Sequence, residues 1–267
     1  MTAGSLTYVY AAARNSALLR ATKPITGVAN APVRLVPSSH DAALVAMVSP
    51  VPEGHFNETA LREHLEDIGW LEALARAHHG VIEAFAARAT VLPLRLATVY
   101  LDEGRVRAML HDRQTLFLER LEHLDGHVEM GVKLYVDPAY DTPTAEANAP
   151  GAALSPGRAY LRHRRAEQDS RNGARQAAEQ AAARITAIAR VHAVERARHR
   201  IQEGELATGP GINVSNDAYL VPAAHVDVFR VEAMRATDGL TGVRVDVTGP
   251  WAPYSFATLP DPGTSAS

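Results

Sequence analysis

The stretch that most constrains this chain is Val91–Tyr100, VLPLRLATVY. It is almost all apolar, too short for a helix core and flanked by charged helical segments, so it reads as a buried strand. Leu92, Leu94, Leu96, Thr98 and Tyr100 alternate onto one face, and Pro93, Arg95 and Ala97 onto the other. Pro93 cannot donate to a ladder and belongs near a strand start or on an edge. Arg95 keeps its charge, so a covered Arg95 needs a carboxylate or carbonyl partner. His127–Val136 offers the complement: Val128, Met130, Val132, Leu134 and Val136 make an apolar face, with Glu129, Gly131 and Lys133 opposite. The expectation is that both runs share one half-covered sheet, with Arg95 and Glu129 paired on the other face.

Composition narrows the class without choosing a function. The chain has 267 residues, enough for one large or two modest domains. Its hydrophobic fraction of 46% and charged fraction of 21% are ordinary for a globular protein. A net charge of −3 gives no global argument for nucleic acid or anionic membranes. The absence of cysteine excludes disulfides and thiolate metal sites. The opening residues lack the basic start and apolar core of a signal peptide, and no apolar run approaches the roughly 20 residues that span a bilayer. Cytoplasmic is the default expectation.

Along the chain, Leu6–Ala12 is a short strand with Tyr8 and Tyr10 on one side, followed by a loop-like Asn15–Pro37. Ala43–Ser49 is a second strand, ended by Pro50 and Pro52. Asn57 suits an N-cap for helical structure running to about Arg88, with a break expected at Gly69. Leu61, Leu65 and Ile68 keep helical spacing there, as do Leu71, Leu74, Ile82 and Phe85. After a turn at Asp102-Glu103-Gly104, a helix from about Arg105 to Leu124 buries Val106, Leu110, Phe117, Leu121 and Leu124. This order predicts an α+β fold with helices on one face of an antiparallel-leaning sheet, close to a ferredoxin-like plan.

Pro138, Pro143, Pro150 and Pro156 mark a linker. From Arg158 to about Gln202 there is no proline, and one helix there would be on the order of 65–70 Å long, so an interruption is expected at Asn172-Gly173. Ala181, Ile185, Ile188, Val191, Val194 and Ile201 predict the buried face of its second part. Ile212–Val221 reads as a strand, Pro222 to about Ala236 as a helix and Leu240–Thr248 as a further strand. The expected division is an N-terminal α+β domain over 1–138, a linker over 139–156, a C-terminal α+β domain with long helices over 157–258, and a disordered tail over 259–267.

No catalytic group can be nominated. His78-His79, with His64 upstream, is the most tempting metal cluster. Adjacent histidines point to different sides of a helix, and these three form neither an HExxH motif nor an i, i+4 pair, so they read as helix-packed or solvent histidines. There is no GxGxxG and no Walker loop, and Ser49, Ser155, Ser215 and Ser255 lack a nucleophile-elbow context. Glu129 and Asp102 flank no second carboxylate at fixed spacing. No enzyme activity, cofactor or metal is therefore expected. The arginines of 158–200 raise the alternative of a nucleic-acid-binding regulator, but Glu167, Asp169, Glu179, Glu195 and Glu203 interleave with them, and Tyr160 is the only stacking aromatic. Thr248–Phe256, TGPWAPYSF, holds Trp251, Tyr254 and Phe256 on an extended, proline-stiffened segment. It reads as a plug for a groove of its own fold, as a docking surface for a partner, or as both.

Several spaced segments carry a family resemblance over nearly the whole chain. Thr7–Tyr10 (TYVY) resembles an opening tyrosine-rich strand, and Trp70 with His78 a W…H helix. Val91–Tyr100 is similar to a VLPLRFGTVF-like core, with Leu96-Ala97 where Phe-Gly is usual. Glu129–Lys133 resembles an EWGVK-like strand with Met130 in the tryptophan's place, Gly157–Leu161 a second-half opening, and Thr248–Phe256 a closing GPWPPYSF, with Ala252 replacing a proline. Together they resemble the gas vesicle protein F/L family (GvpF/GvpL). The resemblance implies two modified ferredoxin-like domains and a non-catalytic part in forming gas vesicles, which are hollow protein shells. It also implies contact with the shell protein GvpA and other accessory proteins, and a location at the vesicle. The surfaces expected to meet such partners are Arg95, Glu129, Lys133, Trp251, Tyr254 and Phe256.

Overall fold

The computed structural model describes residues 4–39, 42–136, 156–201 and 211–258. They form two compact units, one of Met1–His127 with Trp251–Ser267 and one of Val128–Pro250. The units differ from the expected consecutive halves. The strand at His127–Val136 starts the second unit instead of ending the first, and the chain returns to the first after Pro250. Apart from Pro156, the expected linker at 139–156 lies outside the described residues, as does the tail at 259–267.

In the first unit the central strand is β1, Ser5–Arg14. β3, Leu44–Pro52, pairs antiparallel along one side of it, with β2, Arg34–Pro37, beyond. β4, Val91–Pro93, and β5, Val99–Tyr100, pair antiparallel with β1 on its other side. β3 runs on through Pro50 and Pro52, where β2 has ended opposite Val48 and β3 is an edge strand paired to β1. The register of β1 shifts between Val9 and Ala11, an irregularity that puts Tyr8, Tyr10, Ala11 and Ala13 into one core cluster.

The intervening segments are helical: α1, Ala17–Arg20; α2, Glu53–Phe56; α3, Glu58–His64; α4, Ile68–Ala86; α5, Glu103–Asp112; and α6, Gln114–Leu124. Asn57 caps α3 as expected. The break falls at Leu65–Asp67, not at Gly69, because the Asp67 carboxylate accepts from the N–H groups of Gly69 and Trp70 and starts a new helix. Leu65 and Ile68, beside that break, are exposed. α4 places Leu74, Val81, Ile82 and Phe85 against the tyrosine face of the sheet. The expected stripe Val106, Leu110, Phe117, Leu121 and Leu124 is buried, although a kink at Arg113 divides its helix into α5 and α6. These helices meet β1–β4, on the face of Val9, Ala12, Ala46, Val48 and Leu92. Helices thus cover both faces of this sheet, not one.

The second unit holds β6, His127–Val136; α7, Pro156–His192; β7, Glu195–Arg198; β8, Ile212–Pro222; α8, Val226–Met234; and β9, Val243–Trp251. The sheet order is β7-β8-β6-β9. Met130, Val132 and Leu134 pack with Tyr219 and Val221 against Ala181, Ile185, Phe229 and Ala233. α7 continues through Asn172-Gly173 and ends at His192, and the residues expected to prolong it form β7. Val191, Val194 and Ile201 are accordingly exposed. Arg184 binds the carbonyls of Ala236 and Asp238 at 3.1 and 2.9 Å, tying α7 to the end of the α8 region. Gly131 has a packing reason: a Cβ there would lie 2.6 Å from the Thr248 hydroxyl.

Val91–Tyr100 and His127–Val136 therefore lie in different sheets. Val91–Tyr100 is also not one strand. It is two short strands around a turn, with Ala97 in the left-handed region at φ 61°. The common sheet that would have brought Arg95 beside Glu129 does not exist.

Candidate functional site

The turn between β4 and β5 is built on Tyr8. The Tyr8 hydroxyl accepts from the Ala97 N–H at 3.0 Å and lies 3.0 Å from Nδ1 of His78. His78 is 3% exposed, and burial is the main cause that pushes its pKa down to about 4; the Leu94 backbone opposes this and His79 adds to it. The ring is neutral at pH 7. Nε2 is buried and makes no hydrogen bond of good geometry. Burial likewise raises the Tyr8 and Tyr10 pKa values. Tyr10 packs against Tyr8 with tilted rings 4.8 Å apart, accepts from the Val28 N–H at 2.7 Å and contacts the Ser49 hydroxyl at 2.5 Å. A Cβ on Gly27 would sit 2.1 Å from the Tyr10 hydroxyl, so that loop needs its glycine.

His79 faces elsewhere. Nδ1 is 2.9 Å from the Tyr254 hydroxyl and Nε2 is 3.1 Å from Glu83. The closing segment therefore folds back onto α4: Ala252 enters the core cluster, Phe256 is 3% exposed, and Trp251, 40% exposed, packs at 5.7 Å from His79. The plug reading of TGPWAPYSF describes this arrangement. His64 stacks on Trp70 at 4.9 Å and contacts His55. The three candidate histidines thus have three separate surroundings, and no group of three metal-ligating side chains occurs among the described residues.

Between α4, the 94–98 turn, α5–α6 and the closing segment lies a half-open groove of about 500 Å³. Leu94, Leu96, Met109 and Phe117 supply its apolar lining, and Arg95, Arg113, Tyr100 and Tyr254 its polar one. No carboxylate is among the described residues that line it. Arg95 is exposed in the turn, and Thr98 fixes that turn by donating to the Arg95 carbonyl at 2.7 Å. The groove thus gathers Arg95 and Tyr254 from the expected partner surface. Glu129 and Lys133 instead lie half-buried on β6 in the second sheet, on the face shared with the buried Tyr135. Phe256 is interior, an anchor of the segment and not a contact surface. Sequence reasoning missed Met109, Arg113 and the floor at His78; the Trp70–His78 spacing marked the helix but not its hydrogen bond to Tyr8.

Several of the described arginines of 164–200 are held within the fold. Arg175 pairs with Glu179, Arg184 with backbone carbonyls, and Arg196 with Asp217 at 2.9 Å. Among the described residues, no helix is long and apolar enough to cross a membrane.

Comparison with known proteins agrees with this architecture. The sequence profile of the gas vesicle synthesis protein GvpL/GvpF family matches residues 6–258. Gas vesicle protein L of Streptomyces sp. (strain CB03234) is 43% identical over 236 residues, 87% of this chain and 86% of the relative. Gas vesicle protein F of the same strain is 35% identical over 129 residues, 48% of this chain and 47% of the relative. The crystal structure of GvpF from Anabaena sp. PCC7120 shares the fold at a TM-score of 0.63 and 19% identity, covering 96% of this chain and 100% of that one. GvpF from Microcystis aeruginosa gives 0.60 and 19%, over 95% and 99%. With the profile spanning both units, the chain belongs to the GvpL/GvpF family of gas vesicle synthesis proteins.

Proposed function

We propose that this chain is a non-catalytic accessory factor of gas vesicle assembly, acting in the cytoplasm at growing vesicles by binding the shell protein GvpA and other vesicle proteins. The observation that carries this is the 43% identity to gas vesicle protein L across both units. The site chemistry is in keeping with it. The polar side chains near the groove hold pieces of the fold together: Tyr8 binds the 94–98 turn and Tyr254 binds α4 through His79. Of the expected partner-binding residues in this unit, Arg95 and Trp251 are exposed and Tyr254 is half-buried.

Capture of purified shell subunit by the full chain, together with vesicle yield after deletion of its gene, tests the reading. Specific retention and loss of intact vesicles are expected. No retention, with normal vesicles in the deletion strain, would refute it.

A further inference from the structure

We propose that the groove between α4, the 94–98 turn and α5–α6 receives a partner-protein segment in which an Asp or Glu stands next to an apolar side chain. This rests on the assembly reading and specifies its chemistry. Two observations point to that occupant. The apolar lining of Leu94, Leu96, Met109 and Phe117 suits an aliphatic or aromatic anchor, the usual centre of a protein contact. Exposed Arg95 lines the same groove with no carboxylate among the described lining residues, so its charge favours an anionic group.

The shape argues for a segment over a small molecule. Small-ligand sites enclose most of their ligand's surface. This groove is open along one side, so it can accept side chains projecting from a larger body. The turn that carries Arg95 is fixed by Tyr8 at Ala97 and by Thr98 at Arg95, so the cation is presented from braced backbone.

The test uses the full chain with Leu96→p-benzoylphenylalanine, photolysed with intact shell subunit. The same photoreactive residue at exposed Leu18, in α1, is the control. Retention of the shell subunit is measured on the same samples. The expected result is a crosslink from position 96 well above the control, mapping to a segment with a carboxylate beside an apolar residue. Arg95→Glu should lower the yield by about tenfold, and a Lys placed at the mapped carboxylate should restore it. Rising salt should weaken the contact. Retention without a crosslink above the control, a mapped segment lacking a carboxylate, or indifference to Arg95→Glu would overturn the groove while leaving the assembly reading in place. Absence of retention would overturn both.

Discussion

At the scale of single residues, two positions concentrate the strain and polarity of the site. Ala97 sits at φ 61°, where a Cβ is unfavourable and glycine is at ease. The family resemblance expects glycine at this position. Ala97→Gly should relieve the local conflict by about 1–2 kcal/mol, offset in part by the greater freedom of glycine in the unfolded chain. A net gain of about 0.5–1 kcal/mol is expected, read as a higher urea midpoint at unchanged slope. His78 gives a pH signature. Its folded pKa of about 4 lies below the ordinary 6.5, so between these values the unfolded chain takes up a proton that the folded chain refuses. Stability should hold above the ordinary value, fall as pH drops through the window and level off near 4, with this residue contributing about 3 kcal/mol of the loss. Tyr8, its hydrogen-bond partner, stays neutral throughout because burial raises its pKa, and His79 beside it is already held by Tyr254 and Glu83. Denaturant midpoints across the window, for the wild type and His78→Gln, test this; the variant should be weaker at neutral pH but flatter.

At the scale of elements, the second start of the helical region decides where Trp70, His78, His79 and Phe85 point. Asp67 supplies that start through two backbone hydrogen bonds at 2.9 and 3.1 Å. Asp67→Ala should cost about 1 kcal/mol, visible in thermal or chemical unfolding, whereas Asp67→Asn should cost less. This helix also illustrates what the sequence could disclose. Spacing identified Leu74, Ile82 and Phe85, because period alone determines which side of a helix is apolar. It did not locate the break, since an Asp in a helical run looks like one more surface charge until its carboxylate is seen capping. Val91–Tyr100 failed for a related reason. A period of two persists whether a run is one strand or two strands around a turn, and an alanine gives no local sign of a positive φ. The end of α7 was invisible as well: Glu195–Arg198 has helical composition, but pairing with Asp217–Leu220 makes it a strand. The groove was legible only in fragments. Arg95 and Tyr254 could be singled out, but their meeting depends on contacts between residues far apart in the chain.

At the scale of the whole molecule, the path of the chain assigns different work to neighbouring aromatics. It leaves the first unit at His127 and re-enters at Trp251, so the closing segment completes a core whose other parts are made much earlier in the chain. Completion falls to Phe256 and Ala252, which are buried, and to the Tyr254–His79 hydrogen bond. Trp251, at the point of re-entry, keeps 40% of its surface exposed and contributes less to that core. Removing the buried ring should therefore be a stability event. Phe256→Ala is expected to cost about 3–5 kcal/mol, with loss of the first unit's near-UV signal at moderate denaturant. Removing the exposed ring should instead be a recognition event: Trp251→Ala should lower stability by under about 1 kcal/mol while reducing shell-subunit capture, since exposed aromatics make interface anchors. Unfolding midpoints and capture yields measured on both variants separate the two roles. Equal losses of stability would mean that the segment is only a plug. An intact capture yield for Trp251→Ala would move the contact away from this rim.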